Sequence, residues 1–324
     1  MDIFGALFGK VKIQKSGKKF SSIAAAIDAA DDGDTILVKP GIYKESFDVH
    51  KKVSIIGDAA KKPIIWSETR NPLNVIVISA ECVLENLDVR GAKDRCPEST
   101  QIEDSKGFFL RMQPSCILAK SSCSLSNVDI CYSAGFGIAC ISEKTVLEMT
   151  RCSVHSNRDQ AVVIDEGAQA LISETRIYNN EESGVCCHKK SNVKLYDCVI
   201  TECYSGIVCG ESVLDAEKCE VSRNNSAGFS LSYGVKVSAR NCSINGNKSY
   251  GVECESTSVA TFLECEISES PYGIYCREGF AMSVQNCNIH DVEKKEIAIV
   301  KDTMLSDVQS IKNVSAVTEN FVRL

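Results

Sequence analysis

At 324 residues, with 44% hydrophobic and 24% charged residues and a formal net charge of −7, the chain has the composition of an ordinary folded protein. That balance argues against disorder, and an acidic surface is a poor match for a phosphate backbone, so no nucleic-acid partner is expected. No window reaches the ~18 apolar residues of a bilayer-spanning helix, so no membrane is expected either.

Eighteen cysteines would be a disulfide framework in a secreted chain. Met1 to Lys10, however, has an acidic second residue and neither a basic leader nor a small-residue cleavage site. A cytoplasmic protein is therefore expected, its thiols reduced and acting mainly as small buried hydrophobes. The adjacent Cys186 and Cys187 point to opposite sides of a strand, and no Cys-x-x-Cys pair recurs, so no metal site and no cofactor are expected.

In chain order, the first predicted element is a helix over 21–30. Ser21 and Ser22 can cap it, Ile23, Ile27 and Ala30 share one face, and Gly33 stops it, so residues 1–34 form an N-terminal cap. Strands follow at Thr35 to Val38 and Val53 to Ile56, with a Pro40-Gly41 turn between them. Strands Leu84 to Val89 and Asn127 to Ile130 are then separated by one coil plus an insertion within 91–113. Its charged part, Gly91 to Arg111, includes Lys93, Asp94 and Arg95, and long loops on regular scaffolds carry function disproportionately often. A partner is expected to touch those three residues.

A repeat dominates the remainder. Segments opening at Gly137, Ala161, Gly184, Gly206, Gly228, Gly251 and Gly273 follow one another at 22 to 24 residues, and only stacked structural units keep such a period. About 14 residues into each unit stand Cys152, Thr175, Cys198, Cys219, Cys242, Cys265 and Cys287, followed two residues later by Val or Ile, which marks a second strand per coil. Asn157, Asn180, Asn224 and Asn247 recur beyond them as a turn ladder, asparagine being tolerant of left-handed backbone, and glycine supplies the next bend. The fold expected is an all-β, single-stranded right-handed parallel β-helix of roughly 23-residue coils over 35–300, with 301–324 as a C-terminal cap.

Alternation assigns the faces of the strand after the glycine. The Ile138 and Cys140 rows point inward; the rows of Ala139 to Tyr275 and Ile141 to Arg277 point outward. On that outward face Asp165 and His188 occupy neighbouring rungs, where a carboxylate can orient an imidazole. Glu253 and Glu255 are two residues apart on one strand, within the range of a glycosidase carboxylate pair, with Tyr275 and Arg277 as binding neighbours on the next rung.

The segments Phe20-Ser-Ser-Ile-Ala-Ala-Ala-Ile-Asp-Ala-Ala, Gly33-Asp-Thr-Ile-Leu-Val-Lys-Pro-Gly-Ile-Tyr-Lys-Glu45 and Val53-Ser-Ile-Ile-Gly57 resemble the opening of pectin-lyase-like β-helices. The repeats that follow resemble those of the carbohydrate-binding and sugar-hydrolase repeat family, over about residues 11–300. That resemblance implies either of two functions. Polysaccharide-processing members carry motifs such as Gly-His-Gly or Asp-Pro-His, which do not occur here, and Gln160-Ala-Val-Val only echoes the pectinesterases. The β-helices of F-box adaptors and Shc-binding spindle proteins are instead recognition surfaces. The expectation is therefore a non-enzymatic scaffold that binds a protein or glycan on its outward face and the 91–111 loop, the alternative being a polysaccharide lyase, hydrolase or epimerase.

Overall fold

Alternating apolar and polar residues, broken by a bend every three to five positions, cannot form a flat sheet and instead wind the chain into coils. The computed structural model describes residues 10–67, 74–91, 100–103, 109–112, 114–255, 259–277, 281–299 and 304–306. Each regular coil has three strands, as in Val146–Thr150, Ser153–His155 and Val162–Asp165. Stacking in parallel register builds three long sheets, numbered first, second and third in that order; the second and third have eleven strands each. The five-residue first-sheet strand lies before the cysteine landmark, so the two strands per coil read from the repeat fall one short.

The interior is a single column of buried side chains. Ile138, Val162, Val185, Ile207, Phe229, Val252 and Ile274 are fully buried, each worth roughly 1.5–3 kcal/mol of transfer free energy. The Cys140 and Cys152 rows are buried as expected, and the described cysteines are free thiols. Burial pushes the thiols of Cys82, Cys131 and Cys140 up to about 12, so they are protonated, unreactive packing groups at neutral pH.

The bends differ from their sequence reading. Asn157, Asn180, Asn224 and Asn247 do not have left-handed backbone; the residues before all four do, namely Ser156 (φ 56°), Asn179 (φ 54°), Arg223 (φ 53°) and Gly246 (φ 62°). The buried asparagines act through their amides. Asn157 Nδ2 donates to Asn180 Oδ1 (2.9 Å), and Asn224 Nδ2 to Asn247 Oδ1 (3.0 Å). Cys203 fills the rung between these pairs, donating its N–H to Asn224 Oδ1 (3.0 Å). The repeating glycines are likewise a matter of space: a Cβ on Gly206 would lie 2.4 Å from Val221 Cγ1 and 2.6 Å from the Gly228 carbonyl.

The helix Ile23–Ala29 covers the first coil. Ser22 Oγ accepts from Ala25 N, and the Glu45 carboxylate accepts from Ile23 N (2.9 Å) and Ala24 N (3.1 Å), satisfying donors a helix start leaves open. Lys51 Nζ binds the Asp28 and Ala30 carbonyls at the other end. Strand Val11–Ile13 pairs antiparallel with Thr35–Val38. Within the insertion, Thr100–Glu103 and Phe109–Met112 pair as an antiparallel hairpin. Lys93, Asp94 and Arg95, and most of the expected C-terminal cap, lie outside the described residues.

Candidate functional site

The third sheet carries the outward residues singled out from the sequence. In the middle of its outward row, Ala139, Val163 and Cys186 form a buried apolar patch with Leu118 and Phe136 packed against it. Asp165 and His188 do occupy neighbouring rungs, but no hydrogen bond joins them among the described residues. Asp165 Oδ1 accepts from Glu166 N (2.7 Å), and Oδ2 is 3.9 Å from Lys189 Nζ. The imidazole leans over Gly210 instead, its Nδ1 standing 2.8 Å from where a Cβ would be. Desolvation lowers its pKa against the opposing field of Asp165. The carboxylate is thus a neighbour of the ring rather than its orienting partner.

Glu253, Glu255, Tyr275 and Arg277 are brought together. Arg277 Nη2 lies 3.5 Å from Glu253 Oε1 and 3.9 Å from Glu255 Oε1, and its guanidinium stands 5.8 Å from the Tyr275 ring centroid. Burial, then the Glu255 charge, raise the Glu253 pKa.

The larger constellation is on the second sheet, and the sequence reading missed it. There the middle residue of each three-residue strand points inward, as Ile65, Val89, Ile130, Val154 and Ile177 do, so the residues on either side point out. Register places Lys44, Trp66, Arg90, Cys131, His155 and Tyr178 in one outward row. Asp88, Asp129, Ser153 and Arg176 form the row beside it. His155 stacks on Tyr178 with centroids 4.7 Å apart and planes 12° from parallel, and meets Tyr132 edge-on at 5.9 Å. Lys44 lies over the Trp66 ring (5.3 Å) and Arg176 over Tyr178 (5.4 Å).

Two ion pairs lie next to this stack. Arg90 donates from Nε (2.9 Å) and Nη2 (2.6 Å) to the two oxygens of Asp88, a bidentate pairing that keeps the guanidinium charged. Lys62 Nζ holds Asp129 Oδ2 at 3.1 Å. Half-burial lowers the His155 pKa; Asp129 and then Asp88 oppose the shift, and Arg90 reinforces it. The ring is therefore neutral near pH 7, with Nδ1 3.1 Å from Ser156 Oγ. Among the described residues, the cations Lys44, Lys62, Arg90 and Arg176 outnumber the carboxylates Asp88 and Asp129 on this face. The insertion leaves the helix at Gly91, directly after Arg90. The missing signal was available: the alternation applied after the glycine, repeated around Val154, puts Ser153 and His155 outside.

Among the described residues, no group of three or more His, Cys, Asp or Glu is placed to hold a metal ion, and no helix is long and apolar enough to cross a membrane.

Sequence and structure comparisons agree on the class. The chain belongs to the right-handed β-helix family, whose model, described as the right handed beta helix region, matches residues 98–216 and 210–317. No curated protein sequence matches it. Among solved structures it is similar to the mannuronan C-5 epimerase AlgE6 A-module of Azotobacter vinelandii (14% identity, TM-score 0.62, covering 92% of this chain and 95% of that one). It is also similar to the periplasmic alginate epimerase AlgG (12%, 0.59, 84% and 77%) and to pectate lyase Pel9A (14%, 0.56, 91% and 73%). At these identities the likeness establishes the pectin-lyase-like fold. These neighbours are two epimerases and a lyase, and the expectation of a non-enzymatic scaffold gains no support from them.

Proposed function

We propose that this protein processes an acidic polysaccharide on the outer face of its second sheet, with His155 as the proton-accepting group. The observation that carries the proposal is a neutral, half-buried imidazole stacked on Tyr178 beside two fixed carboxylate–cation pairs. Mannuronan, alginate and pectate, the polymers named for the structural neighbours, are acidic glycans. A chain of them laid along the row from Trp66 to Tyr178 meets planar side chains for its C–H faces and an excess of positive charge for its carboxylates.

The chemistry suited to these groups is proton removal from the carbon that bears the carboxylate. Neutral His155 accepts the proton, and the electron pair left behind moves into the carboxylate. The developing charge falls near Arg90 and Lys62, whose aspartate partners hold them in place. Arg90 commits Nε and Nη2 to Asp88, leaving Nη1 for a substrate oxygen. Return of a proton to the opposite face inverts the carbon; expulsion of the neighbouring glycosidic oxygen, with formation of a carbon–carbon double bond, cleaves the chain. In both outcomes the base requirement is the same.

The test is incubation of the reduced protein with polymannuronate and polygalacturonate in heavy water, followed by proton NMR. Exchange of the ring proton beside the carboxylate, or new unsaturated chain ends, is expected for the wild type and at least a hundredfold less for His155→Gln. Absence of both with the wild type, or undiminished exchange in His155→Gln, refutes the proposal.

A further inference from the structure

Three tyrosines pack together on the third sheet, away from the His155 stack, and neither the core nor the proposed reaction requires them. Tyr250 and Tyr272 are register partners on adjacent strands, and Tyr275 lies three residues beyond Tyr272. Their ring centroids are 5.5 Å (Tyr250 to Tyr272), 5.1 Å (Tyr250 to Tyr275) and 5.5 Å (Tyr272 to Tyr275) apart. All three are half-buried, and none of the phenolic hydroxyls has a hydrogen-bond partner among the described residues. Glu253, its side chain only 13% exposed, and the more open Glu255 both face Arg277 beside the rings.

From this juxtaposition we infer a second ligand site, a surface that binds an uncharged sugar ring. Aromatic faces attract the C–H face of a pyranose, while a carboxylate and a guanidinium together accept from and donate to adjacent hydroxyls. The local charges balance, which suits an uncharged ligand. Glu253 and Glu255 are matched by Arg277 and by Lys294, 5.1 Å from the Tyr272 ring, so the surface offers no net positive charge to draw an acidic sugar. The strand of His155 lies four register steps from that of Ser243–Asn245, in the coil of Tyr250, and on another sheet. At about 4.8 Å per step the separation along the axis is roughly 19 Å, which makes the two surfaces distinct sites.

The inference rests on the glycan reading of the second sheet only for the class of ligand, and it can fail independently. Calorimetric titration of the full chain with cellohexaose, mannohexaose and xylohexaose tests it. Binding of at least one is expected, weakened tenfold or more in Tyr275→Ala and in Tyr272→Ala, retained in Tyr272→Phe, and unchanged in His155→Gln. No binding of any of the three, equal binding in both alanine variants, or loss of binding in His155→Gln overturns the inference. Circular dichroism confirms that each variant folds, and uronate exchange should continue in Tyr275→Ala whatever the titration shows.

Discussion

The two imidazoles that distinguish the outer faces differ in what surrounds them. His188 leans over a glycine with its carboxylate neighbour turned elsewhere, whereas His155 is stacked on Tyr178 and edge-on to Tyr132, within the field of Asp129, Asp88 and Arg90. Burial holds the His155 pKa below its ordinary 6.5, so the folded protein prefers the neutral ring. A group whose folded pKa is depressed contributes stability above its unfolded pKa and loses it as pH falls through the folded one. The same protonation removes the proposed base. The pH profile of kcat/KM on a uronate polymer should therefore show an acid limb with its midpoint below about 6.5, in the range of a perturbed histidine. A limb centred above that value would mean that a different group sets the protonation state.

At the scale of the element, the coil is held by paired amides and by steric fit as well as by its apolar column. Asn224 accepts from Cys203 N and donates to Asn247 in a fully buried turn, so Asn224→Ala orphans the buried Cys203 N–H. A loss of about 1–3 kcal/mol is expected in urea unfolding, against near-neutrality for a change at exposed Asn225. Much of this was legible beforehand. The period, the inward rows and the helix followed from spacing and alternation, and the four residues Glu253, Glu255, Tyr275 and Arg277 were grouped correctly by position. Less legible was the origin of the bends. A recurring asparagine or glycine announces a turn, but only coordinates reveal that the asparagine works through its amide and the glycine through the room it leaves. The His155 face was missed for a simpler reason: the short second-sheet strands give only two outward residues each, too few for a pattern until register aligns them across coils.

For the molecule as a whole, a solenoid leaves function to its sides. Each coil packs on its neighbours, so stability accumulates along the stack and the outer rows are free to vary. The N-terminal end is closed by a helix whose two termini are held by Glu45 and Lys51. The second sheet presents a basic, ring-lined strip beside the root of the insertion, and the third sheet a tyrosine platform farther along the axis. The division predicts where an acidic glycan lies. A crystal structure of the complex with a mannuronate or galacturonate oligomer tests this most directly. The account predicts sugar along the row from Trp66 to Tyr178, a carboxylate against Arg90 or Lys62, and a carboxylate-bearing carbon within reach of His155. An oligomer bound on the first sheet or on the tyrosine platform, with the His155 face empty, would contradict it.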